Sequence, residues 1–169
     1  MTAMGSYNIG KDVVCEWIRG HFDPEDEILD VGACDGKWRR LLDEYRNMDA
    51  VEVFRPYAEK LTGYRKVYVE DVCCMKIGWY DLIIFGDVVE HMNVDDAQGV
   101  IEYAWHRCRD MIIAVPWRYV QGPVDGNPWQ EHIQDDLTPE IFAERYPGLE
   151  VIFATEDYAY FHKGEAVSG

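Results

Sequence analysis

Glu27-Ile28-Leu29-Asp30-Val31-Gly32-Ala33-Cys34-Asp35-Gly36 is the stretch on which the fold turns. A short apolar run enters a segment with two glycines, after which Trp38, Leu41, Leu42 and Tyr45 recur at helical spacing. That order reads as strand, tight turn and helix, with Asp35 as the expected N-cap. The glycines give the turn its freedom and let a ligand approach the backbone with no Cβ in the way.

Working outward, Met48 to Phe54 reads as a second strand and Pro56 as the opening of a helix, because proline suits the first helical turn. Lys66 to Val69 is a third strand. Tyr80 to Phe85 is a fourth, apolar enough to be buried on both faces of a parallel sheet. A helix is expected over Val94 to Cys108, then a fifth strand over Met111 to Val115, stopped by Pro116. Tyr119 to Asp136 has no periodicity, and Thr138-Pro139-Glu140 opens a helix to about Tyr146 with Thr138 as N-cap. Glu150 to Ala154 and Tyr158 to Lys163 flank Thr155-Glu156-Asp157 as a hairpin. Trp79, Tyr80, Trp105 and Phe153 are assigned to the core. The expected fold class is α/β, a doubly wound and mainly parallel sheet ending in an antiparallel hairpin. Residues 1–169 are read as one domain, with 1–24 as an N-terminal helix and its lead-in.

The 169 residues include 16 Lys plus Arg against 32 Asp plus Glu, a formal net charge of −16. That balance disfavours nucleic acid and anionic membrane surfaces, both of which are held by basic side chains. A 48% hydrophobic and 14% aromatic content excludes a disordered acidic tail. The first ten residues lack a basic segment followed by an apolar run, and no apolar stretch approaches the ~20 residues of a membrane span. Five cysteines with no Cys-x-x-Cys pair read as reduced thiols, so a cytoplasmic location is expected. Nothing in the sequence speaks to the oligomeric state.

Ligands of doubly wound sheets sit beyond the carboxyl ends of the strands. The first turn fails the dinucleotide pattern, because Cys34 and Lys37 stand where glycines are needed, which argues against a nicotinamide-dependent oxidoreductase. Instead the strand ends gather Asp30, Glu52, Asp71, Asp87 and Glu90, with no lysine or arginine in the same motifs. Such a region suits a ligand bearing positive charge and sugar hydroxyls but no phosphate, and S-adenosylmethionine answers that description. His91, His106 and His132 lack the i, i+4 spacing of a helical metal site, so no metal is expected.

Ile28 to Gly36, Val51-Glu52-Val53, Glu70-Asp71-Val72 and Tyr80 to His91 together resemble class I S-adenosylmethionine-dependent methyltransferases, over roughly residues 25–163. The resemblance implies a seven-stranded sheet with the last strand antiparallel. It also implies cofactor contacts from Asp30, Gly32, Ala33, Cys34 and Gly36 under the methionine part, and from Glu52 on the ribose hydroxyls. Val53 or Phe54 would pack on adenine, Asp71 and Val72 would meet its amino edge, and Asp87 would lie near the methionine end. Cys34 departs from the glycine usual at that place. The loop over 117–137, with Trp117, Tyr119, Trp129 and His132, would build the acceptor side. Methyl transfer from a sulfonium is an in-line displacement that depends chiefly on positioning. Where the acceptor must lose a proton, His91, His132 or Asp87 is the candidate base. The implied activity is methylation of an unidentified small-molecule or protein acceptor. The rival from another class is a non-catalytic binding or scaffold module on the same fold, which would bind the cofactor without turnover.

Overall fold

The computed structural model describes residues 8–164. Its elements run α1 (Lys11–His21), β1 (Glu27–Val31), α2 (Lys37–Leu41), β2 (Asn47–Val51), α3 (Arg55–Ala58), β3 (Lys66–Tyr68), β4 (Tyr80–Gly86), α4 (Val94–Trp105), β5 (Cys108–Pro116), α5 (Pro139–Arg145), β6 (Glu150–Ala154) and β7 (Tyr158–Gly164). Short 3-10 turns cover Val89–His91 and Pro128–Gln130. Of the expected lead-in and helix over 1–24, α1 is seen, and residues 1–7 lie outside the described residues.

The strands form one sheet in the order β3-β2-β1-β4-β5-β7-β6. β1 to β5 pair in parallel, whereas β7 runs antiparallel to both of its neighbours. Successive residues of a strand face opposite sides, and the core divides accordingly. Leu29, Val31, Ile83, Phe85 and Ile113 meet Ala97 and Val100 of α4 and Phe142 of α5. Ile28, Leu82, Ile84 and Ile112 meet Val14 and Ile18 of α1 together with Trp38 and Leu42. Each such aliphatic side chain contributes about 1.5–3 kcal/mol by leaving water, which is what holds helices on both faces.

The register sets the strand ends level. Val31 of β1 pairs with Val51 of β2 and Phe85 of β4, and Gly86 pairs with Ala114 of β5. The turns that follow β1, β2 and β4 therefore open at one edge of the sheet.

Several expectations are corrected in detail. Asp35 does not cap α2. Gly36 occupies the N-cap at φ 73°, and Asp35 accepts instead from Arg40 Nη2 at 2.9 Å. α2 stops at Leu41, which is 37% exposed, so the apolar spacing continues through a turn rather than a helix. β2 ends at Val51, leaving Glu52 to Phe54 free to bend over the sheet edge. α4 ends at Trp105, and Cys108 already belongs to β5. Trp79 is 59% exposed and is not a core residue. Trp117, assigned to an acceptor wall, is buried with its ring centroid 5.8 Å from that of Phe142 and 6.1 Å from that of Phe161.

Candidate functional site

A cavity of ≈ 300 Å³ opens beyond the ends of β1, β2 and β4, at the small end of the range for small-molecule sites. Of the residues expected to hold a cofactor, Gly32, Glu52, Val53, Asp71, Val72 and Asp87 line it. Asp30, Ala33, Cys34, Gly36 and Phe54 are not among its lining residues, and the Phe54 ring packs edge-on against Tyr57 at 4.9 Å. Met92, Trp129 and Ile133 complete an apolar side.

The turn after β1 is shaped by three left-handed residues, Gly32, Cys34 and Gly36. Gly32 sits at φ 70°, and a Cβ there would lie 2.5 Å from Val88 Cγ2, so only glycine fits. Cys34 takes φ 49°, a conformation that is strained for a residue with a side chain. Burial, reinforced by the charges of Glu52 and Asp35, pushes its thiol up to about 12 and keeps it protonated.

Glu52 ties the turns after β1 and β2 together. It accepts from the Cys34 amide at 2.9 Å and from the Phe54 amide at 2.8 Å, with 4% of its surface exposed. Burial raises its pKa, and the two amides pull the other way. Asp71 is held similarly by the Cys73 amide at 2.9 Å. Beneath the turn, Asp30 is fully buried. Tyr64 donates to its Oδ2, Oδ1 has no partner, and burial moves the carboxyl to about 7.

Asp87 also adopts a left-handed backbone, at φ 59°, which aims its carboxylate back over the sheet, where Tyr158 of β7 donates to it. Lys11, at the start of α1, is a buried cation acting on Asp87 and Asp30 that the strand-end reading missed. It is 3% exposed, donates to Tyr160 Oη at 3.4 Å and stands 4.3 Å from the Trp38 ring centroid. Burial lowers its pKa, while Asp87 and Asp30 oppose that. Its only trace in the sequence is a lysine that falls in register with Val14, Cys15 and Ile18 on the buried face of α1.

The expected catalytic histidines come together from separate segments. His91 ends the 3-10 turn after β4, lines the cavity and contacts His132 of the long loop, with ring centroids 4.7 Å apart. The Glu90 carbonyl accepts from the amides of Ile133 at 2.8 Å and Gln134 at 2.9 Å, and this pair of bonds pins the loop. His91 Nδ1 donates to the Glu131 carbonyl at 3.0 Å, and His132 Nδ1 donates to the Tyr119 carbonyl at 2.7 Å. A carbonyl only accepts, so each ring keeps its lone pair on Nε2. Burial lowers both histidines, His91 to about 4, and both are neutral near pH 7. The spacing argument took no account of His132 reaching His91 across the fold.

No protein-family model and no curated protein sequence matches the chain. Solved structures do match its shape. An S-adenosylmethionine-dependent methyltransferase from Clostridium acetobutylicum ATCC 824 superposes with a TM-score of 0.70 at 12% identity, covering 95% of this chain and 93% of that one. DhpI, solved in complex with S-adenosylhomocysteine, superposes at 0.71 and 12% identity over 93% of this chain and 85% of its own. The magnesium protoporphyrin IX methyltransferase of Synechocystis PCC 6803, solved with S-adenosylhomocysteine bound, gives 0.61 at 14% identity over 95% and 88%. At such identities the likeness establishes the fold.

Proposed function

We propose that this chain, which has the fold of class I S-adenosylmethionine-dependent methyltransferases, binds S-adenosylmethionine in the cleft beyond β1, β2 and β4. It transfers the methyl group to an unidentified small-molecule or protein acceptor. The observation that carries this reading is Glu52. Its carboxylate is fixed at the end of β2 by two backbone amides, and each oxygen keeps acceptor capacity for one hydroxyl of a ribose. Val53 and Val72 supply apolar flanks for a purine, and Asp71 supplies an acceptor for an exocyclic amine. Asp87 favours the sulfonium and ammonium of the methionine part, while buried Lys11 limits the negative field of Asp30 and Asp87.

In the reaction the acceptor's lone pair attacks the methyl carbon in line with the carbon–sulfur bond. That bond breaks, its electrons stay on sulfur, and the neutral thioether leaves. The protein's share is to hold both partners at reacting distance with aligned orbitals. A protic acceptor also releases a proton, for which Asp87 and the Nε2 atoms of His91 and His132 are the available groups.

Calorimetry with S-adenosylhomocysteine should give one site per chain, and Glu52→Ala should weaken binding at least ~10-fold, corresponding to about 1.4 kcal/mol. The same substitution strips two amides of their acceptor and should lower stability by about 1–3 kcal/mol in urea unfolding. Absence of binding to the folded wild type, or an unaffected Glu52→Ala, would sink the reading. Binding without methylation of any acceptor in a broad panel would favour the non-catalytic alternative.

A further inference from the structure

Glu90 is the least satisfied acidic group near the cleft. Its residue is 1% exposed, and neither carboxylate oxygen meets a hydrogen-bond partner from another residue. A buried carboxylate in that state costs several kcal/mol if ionised and unpaired. Around it, a ligand atom from each of Glu90, His91 and His132 lies within 4.8 Å of the others. Both imidazoles are anchored through Nδ1 by backbone carbonyls, the second-shell arrangement that fixes the tautomer and presents Nε2 as a ligand.

We infer that Glu90, His91 and His132 form a binding site for a divalent transition-metal cation on the acceptor side of the cleft. The donor set of two imidazoles and one carboxylate selects transition cations over magnesium and calcium, which prefer all-oxygen shells. A cation supplies the positive charge that the buried Glu90 carboxylate lacks. Metal–ligand distances of about 2.1 Å require the three ligand atoms to draw together to roughly 3.4 Å, a contraction within reach of side-chain rotation. Three protein ligands leave coordination positions open, and His91 faces the cavity. An acceptor oxygen bound there would be polarised and brought toward the methyl donor, and with both Nε2 atoms engaged as ligands Asp87 would receive its proton. That use of the metal rests on the methyltransferase reading; the binding site itself does not.

The test is titration of the full chain with Co²⁺, without nucleoside, followed by visible absorption. One Co²⁺ per chain should develop d–d bands with no sulfur-to-cobalt charge transfer. Glu90→Gln, which preserves shape, and His132→Ala, in a surface loop, should each weaken binding by at least ~10-fold while circular dichroism stays unchanged. Three outcomes overturn the site: no Co²⁺ uptake by the wild type, equal uptake by both variants, or a charge-transfer band marking binding at Cys73 and Cys74. Failure to bind S-adenosylhomocysteine would count against the proposed function and leave this titration unaffected.

Discussion

Cys34, in the turn after β1, and Asp30, in the strand that leads into it, carry different kinds of cost. Cys34 holds φ 49°, for which a side chain costs about 1–2 kcal/mol, part of which glycine would return through the freedom of the unfolded chain. Cys34→Gly should therefore stabilise by about 0.5–1 kcal/mol, raising Tm by roughly 2–4 °C in calorimetric scans. An unchanged or lower Tm would contradict the strain. For Asp30 the folded pKa of about 7 lies above the ordinary 3.8. Between those values the folded state binds the extra proton, so this group's contribution falls as pH rises from about 4 to 7, by up to about 4 kcal/mol. Asp30→Asn should match the wild type near pH 4 and exceed it by about 2–4 kcal/mol at pH 8, measured by urea unfolding. The sequence made both residues visible within the stretch that forms β1 and the glycine turn. It could not show that Asp30 is fully buried while Cys34 is half-buried, because depth depends on what packs over the turn.

The strands and helices were legible because their apolar periodicity is strong, as in Tyr80 to Phe85. Their ends were less so: α2 is short because the turn at Leu42 takes over its apolar spacing, and Trp79 emerges because β4 starts only after it. The loop over 117–137 was legible only as an aperiodic stretch, since its shape comes from single polar anchors. Gln134 is the chief one. Its Nε2 donates to the Val89 carbonyl at 2.8 Å and the Met92 carbonyl at 3.1 Å, and its Oε1 accepts from Tyr146 at 3.0 Å and Arg145 at 3.1 Å. These bonds join the loop to the turn that carries His91 and to the end of α5. Gln134→Ala should cost about 2–3 kcal/mol in chemical unfolding, because it leaves buried acceptors without donors. It should also speed proteolytic nicking between residues 119 and 133; a loop as resistant as in the wild type would show that Gln134 is not the anchor.

The net charge of −16 acts on the protein in two ways. Exposed carboxylates repel one another across the surface, while a few at the strand ends shape the cleft. Some of the surface charge is paired, as in Arg145 with Asp136 at 2.6 Å and Arg46 with Glu25 at 3.1 Å. Arginines are too few to neutralise the rest. Stability should accordingly rise by a few degrees in Tm between about 0.05 and 0.5 M NaCl, as screening weakens the net repulsion. A Tm that falls over that range would mean the paired charges outweigh the repulsive ones. The acidic balance was readable from composition, but Lys11 was not, because its partners Tyr160, Asp30 and Asp87 are far from it along the chain.

β7 lies between β5 and β6, although it follows both in the chain. During synthesis the edge of β5 must therefore wait, unpaired, until the ribosome has released Tyr158 to Gly164, and only then can the hairpin slot into place. The same event brings the Tyr158 hydroxyl to Asp87. A chain ending at Ala154 would hold the glycine turn and strands β1 to β5, but would leave β6 with no strand to pair with, expose a sticky β5 edge and deprive Asp87 of that hydroxyl. Completion of the cleft is thus timed to the arrival of the last strand.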